Sequence, residues 1–99
     1  MLDFYLIADH QSHSNHPEKA GLVLAGHLGS DVFDRLKRIQ LIDGRFEYYT
    51  DFRWSRTIIL QLLTTIKKRQ IESSTDVQKL VRLLDLADQN NSGLLACAD

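Results

Sequence analysis

The stretch from Arg53 to Arg69 constrains the fold most. Trp54, Ile58, Ile59, Leu62, Leu63 and Ile66 recur mostly at intervals of three and four, which puts them on one broad side of a helix. Lys67, Lys68 and Arg69 close the run, where the partial negative charge of a helix C-terminus favours cations. Asp51 or Ser55 offers a side-chain oxygen to cap the start. At 1.5 Å per residue such a helix is about 25 Å long. Its stripe is the widest in the chain and must be buried against something, so the segment is expected to organise the core.

Two shorter stripes flank it. Val32, Phe33, Leu36 and Ile39 follow Ser30 and Asp31, either of which can cap a helix that ends before the turn dipeptide Asp43-Gly44. Val77, Leu80, Val81, Leu84 and Ala87 follow the linker and cap Ser73-Ser74-Thr75-Asp76, and Asn90-Asn91-Ser92-Gly93 stops the helix they predict. Leu2 to Ala8 is too short for a helix and rich in aromatic and β-branched residues, which predicts a strand. The apolar run Gly21 to Gly26 reads as a second, fully buried strand, Phe46 to Tyr49 as extended, and Leu94 to Ala98 as a final edge strand or a tail. Together these predict an α+β fold of three helices on a small two- or three-stranded sheet. A mostly α domain with one short hairpin is the alternative.

The chain has 99 residues, 43% of them hydrophobic and 25% charged, which fits one globular domain spanning residues 1–99. A net charge of −1 carries neither a polybasic nor a polyacidic signature. Cys97 is the one cysteine, which excludes an internal disulfide and suits a reducing compartment. Asp3 and Asp9 flank a short apolar stretch with no basic segment before it, so the N-terminal residues do not read as a signal peptide. No apolar run is long enough for a bilayer. The expectation is a cytoplasmic protein with no membrane association.

Asp9, His10, His13 and His16 are the candidates for metal chemistry, since imidazole and carboxylate are common ligands. A spacing of three suits one helical face, but Ser12, Asn15 and Pro17 favour a loop, which holds no fixed ligand geometry. A metal-dependent enzyme built on His10, His13 and His16 is therefore an alternative reading, set behind a solvated loop. No G-x-S-x-G elbow, Walker A loop, G-x-G-x-x-G run or CxxC pair occurs. Cys97, in an apolar segment, reads as a small packing residue rather than a nucleophile. The expectation is no catalytic residue and no cofactor.

Phe46, Tyr48, Tyr49, Phe52 and Trp54 place five of the eight aromatics within nine residues, interleaved with Arg45, Glu47, Asp51 and Arg53. Nine consecutive positions cannot all point one way. Phe46, Phe52 and Trp54 are expected in the core, with Tyr48 or Tyr49 at the surface. Aromatics and arginine are the types enriched at interaction hot spots, so Arg45, Tyr48, Tyr49 and Arg53 are the predicted binding surface. A nucleic-acid-binding module is the rival, because Arg53, Arg56, Lys67, Lys68 and Arg69 lie on the central helix with no acidic residue between. The slightly acidic chain makes nucleic acid the weaker reading. The expected function is a small protein–protein binding or regulatory module without catalytic activity. A toxin-neutralising immunity protein is one concrete form, and a homodimer is compatible with it.

Overall fold

A computed structural model describes residues 1–12 and 21–98. In chain order the elements are β1 (Leu2–Ile7), β2 (Val23–Leu28), α1 (Ser30–Arg38), β3 (Phe52–Trp54), α2 (Arg56–Arg69), α3 (Thr75–Gln89) and β4 (Gly93–Cys97). The fold is α+β, with three helices packed on one sheet. The sheet has four strands rather than two or three, in the order β2-β1-β4-β3, and every neighbouring pair is antiparallel.

The unforeseen strand is β3: Arg53 and Trp54, expected to open the central helix, pair with β4 instead, and α2 begins at Arg56. The C-terminal segment differs in its place. Leu94-Leu95-Ala96 is neither edge nor tail: β4 lies between β1 and β3, and all three residues are buried. An unbroken apolar run suits a strand covered on both sides. Gly93 lets it start there, because a Cβ at that position would collide with the Trp54 carbonyl. Conversely, β2 was expected to be fully buried and is an edge strand with Val23 and Leu24 exposed. Gly26 in β2 meets α3 closely, since a Cβ there would lie 2.8 Å from Leu83 Cδ2.

Side chains alternate across the sheet. Leu2, Phe4, Leu28, Trp54, Leu94 and Ala96 join the buried stripes of all three helices in the main core, while Tyr5, Ile7 and Leu95 form a smaller cluster apart from it. The helix that organises this core is α3, not α2. Val77, Leu80, Leu83, Leu84 and Ala87 are all buried on α3, which contacts α1, α2, β2 and β4. On α2 only Ile59 and Ile66 are buried, with Ile58, Leu62 and Leu63 half-buried and Leu60 exposed.

Polar groups fix the helix ends and the helices to one another. Ser55 Oγ accepts from the Ile58 amide at 3.4 Å and Ser74 Oγ from the Val77 amide at 3.5 Å, starting α2 and α3. On α1 the N-cap is Gly29, with no side-chain cap; Asp31 instead accepts from the Val32 amide. Arg35 of α1 grips Asp76 of α3 through two hydrogen bonds of 2.6 and 3.1 Å. That hydrogen bond is the main reason the Asp76 carboxyl lies below the usual range and the Arg35 guanidinium above its own. Among the described residues, no helix is long and apolar enough to cross a membrane.

Candidate interaction surface

The aromatic segment is held by two turns that run into a short strand. Asp43 Oδ1 accepts from the Arg45 amide at 2.9 Å and the Asp43 carbonyl from the Phe46 amide at 3.1 Å, so Asp43-Gly44 makes the turn its composition predicts. A second turn joins the Thr50 amide to the Glu47 carbonyl. From Phe52 the chain pairs with β4. Residues 46–49, expected to be extended, therefore form no strand; the strand lies at Phe52–Trp54.

Side-chain direction nonetheless follows a period of two through most of the segment. Phe46, Tyr48, Phe52 and Trp54 turn inward, whereas Arg45, Glu47, Tyr49 and Asp51 are exposed. The inward rings form one connected array. Phe46 lies 4.9 Å from Phe52 and 5.9 Å from Trp54, Phe52 lies 6.1 Å from Phe33, and Phe33 lies 5.7 Å from Tyr48. These are the separations at which tilted and edge-on rings attract. Trp54 is fully buried and Phe46 and Phe52 are half-buried against the core.

The two tyrosines separate. Tyr48 packs on Phe33, and its hydroxyl makes only a long 3.4 Å contact with the Leu28 carbonyl. Tyr49 is 79% exposed and stands edge-on against the Tyr48 ring at 4.9 Å. Arg45 is also exposed, with its guanidinium 4.8 Å from the Phe46 ring centre.

Arg53 does not join them. It alternates to the other side of β3 from Phe52 and Trp54, and its guanidinium donates to the carbonyls of Ala8 (2.6 Å), Gln11 (2.7 Å) and Asp9 (3.1 Å). It is a clamp on the chain that leaves β1. The structure thus brings together Tyr48 and Tyr49, keeps Arg45 on the same loop, and engages Arg53 elsewhere. Other cations of the proposed nucleic-acid surface are engaged too: Arg56 pairs with Asp88 at 3.0 Å and Arg69 donates to the Ile39 carbonyl at 2.8 Å.

The candidates for chemistry divide as well. The Asp9 carboxylate accepts from the Arg56 amide at 3.0 Å, so it adds a second cap to α2. His10 is exposed, while His13 and His16 lie outside the described residues. Among the described residues, no three His, Cys, Asp or Glu side chains are grouped to hold a metal ion. The Cys97 thiol is pushed up to about 11, first by burial and then by Asp51 and Asp3, so it stays protonated near neutral pH.

One feature had no signal in the sequence. Between α2 and the chain from Leu41 to Phe46 lies a half-open pocket of about 190 Å³, lined by Phe46, Trp54, Ile58 and Leu62 and by the polar Asp43, Arg45, Gln61 and Thr65. Apart from that pocket, the Trp54 indole N–H is buried without an acceptor among the described residues. Compared with protein-family models, curated proteins and solved structures, the chain matches none significantly.

Proposed function

We propose that the protein is a binding module without catalytic activity, which contacts another protein through the outer row of the loop before β3. The observation that carries this reading is Tyr49. A large ring 79% exposed, buttressed edge-on by a second tyrosine that is itself packed on Phe33, is rigid contact area with little rotamer freedom to lose. Arg45, four residues earlier on the same loop, adds a cation and a fork of donors at the rim. A partner with an acidic or carbonyl-rich patch complements this pair.

Two observations favour protein over nucleic acid. Arg53, Arg56 and Arg69 are engaged within the molecule, which leaves Lys67 and Lys68 as the remaining cations of the basic run. The exposed tyrosine also belongs to the loop before β3, whereas those lysines belong to the last turn of α2. A cysteine nucleophile is disfavoured, because burial holds the Cys97 thiol protonated.

The test is affinity capture with wild-type and Tyr49→Ala protein of matched melting temperature. A protein retained by the first and lost by the second is the expected result. Retention that does not depend on Tyr49 rejects this surface. Binding to an unrelated oligonucleotide that falls steeply with salt would instead favour the nucleic-acid module.

A further inference from the structure

We infer that the outward face of α2 is an interface with a second copy of this chain, the two α2 helices packing antiparallel about a two-fold axis. The first argument is what that face lacks. α1 shows Asp31, Asp34, Arg35 and Arg38 to solvent, and α3 shows Lys79, Arg82, Asp85 and Asp88. On α2, the residues from Thr57 to Ile66 carry no charge at all. Thr57, Leu60, Gln61 and Thr64 are exposed there, Leu60 by 45%, and Lys68 continues the same row. At 3.6 residues per turn this row lies on the side opposite the buried Ile59 and Ile66. Depletion of charge is the compositional mark of an interface centre, and α1 and α3 show what solvent-facing positions look like in this fold.

Charge at the two ends says what covers the face. In the last turn of α2, Lys67 and Lys68 are exposed. At the first turn, Asp88 of α3 gives Oδ1 to Arg56 at 3.0 Å, and its side chain stays 45% exposed, with Oδ2 left to accept from a further donor. Lys67 and Asp88 also lie on the same flank of α2, because Lys67 lines a groove with Val81 and Asp85 of α3. Two copies packed in the same direction would set Lys67 and Lys68 against their counterparts. Packed antiparallel about a two-fold, like flanks stay together and each basic end meets the end that holds Asp88. A two-fold uses one patch twice, so the patch must complement itself, which an uncharged centre between ends of opposite sign does. The row then centres on Gln61 and Thr64, which can exchange hydrogen bonds across the axis, with Leu60 packed beside them. Opposed helix dipoles favour the same direction. Tyr49 belongs to the loop before β3, so this surface and the contact proposed above are tested by different substitutions.

The test is sedimentation equilibrium of the whole chain at rising concentration, with melting temperatures measured alongside. The mass should climb from one chain toward two, and association should weaken as salt rises, because exposed ion pairs are screened. Leu60→Glu sets a carboxylate in the uncharged centre and should weaken association at least about tenfold while the fold melts as wild type does. Lys68→Glu and Asp88→Lys should each associate less than wild type, since each places like charges together. Mixed in equal amounts they should pair better than either alone, because every contact in the mixed dimer is again between opposite charges. Tyr49→Ala should associate as wild type does. A mass that stays at one chain up to about 1 mM overturns the second copy as the occupant. Wild-type association by Leu60→Glu, or its loss in Tyr49→Ala, overturns the α2 face. A mixture that pairs no better than its two components overturns the antiparallel arrangement.

Discussion

The loop from Asp43 to Asp51 and the strand Phe52–Trp54 continue one alternating pattern, yet their outward residues meet different fates. On the strand, Arg53 finds three backbone carbonyls in the chain that leaves β1. On the loop, Arg45 and Tyr49 each rest on a ring of the array and stay exposed, and Asp51 alone of the outward row bonds the rest of the fold, accepting from the Ala98 amide at 2.8 Å. The inward residues are alike throughout, one aromatic array from Phe46 to Trp54. Alternation along a chain sets which way a side chain points. Whether it meets the rest of the fold there depends on distant chain, and what is left over is available to a partner.

The largest expected effect lies on the strand's inner side. Trp54→Ala should lower stability by about 3–5 kcal/mol in chemical denaturation, because it deletes the largest fully buried side chain. A shift below about 1 kcal/mol would mean the aromatic array is loosely packed and the comparison has no rigid reference. Next comes Arg53→Ala. Hydrogen bonds from a charged donor are the stronger kind, but the freed carbonyls of Ala8, Asp9 and Gln11 lie near water, so the net cost should be about 1–2 kcal/mol. Amide exchange should speed up around residues 8–11 as well. An unchanged midpoint would make the clamp ornamental and return Arg53 to the exposed class. The smallest effect is expected for Tyr49→Ala, within about 0.5 kcal/mol of wild type. Tyr48→Ala, which removes a half-buried ring from Phe33, should cost more, and equal losses for the two tyrosines would erase the distinction between the rows.

Much of this division was legible in the residues. Nine crowded positions cannot all face inward, so Phe46, Phe52 and Trp54 were legible as core and one tyrosine as exposed; that Tyr49 is the exposed one is set by the turn from Glu47 to Thr50. Thr50, itself exposed, is where that turn breaks the alternation. The three helices and the caps Ser55 and Ser74 were legible for the same reason: their signals lie within a turn or two of chain.

Long-range relations were not legible. Arg53 resembles Arg45 until Ala8 and Gln11, more than forty residues away, are seen against it. The stripe on α2 is wider than that on α1, but width does not say how much of it a fold covers; α3 takes the central place, and part of the α2 stripe lines the half-open pocket. The apolar runs of β2 and β4 look alike in sequence, and only strand order puts one at the edge and the other between two neighbours. The buried N–H of Trp54 belongs to the same class, since an orphaned donor is defined by what fails to surround it.

On the proposed reading Tyr49 of the loop serves a partner, whereas Arg53 of the strand serves the fold. The most direct test is calorimetric titration of the captured partner into Tyr49→Ala and Arg53→Ala, with each variant's stability measured alongside. Tyr49→Ala should lose about thirtyfold or more in affinity at unchanged stability, the scale of a hot-spot loss, and Arg53→Ala should lose stability while its folded fraction binds as wild type does. Affinity that falls with Arg53→Ala and holds with Tyr49→Ala would place the contact on the strand and not on the loop.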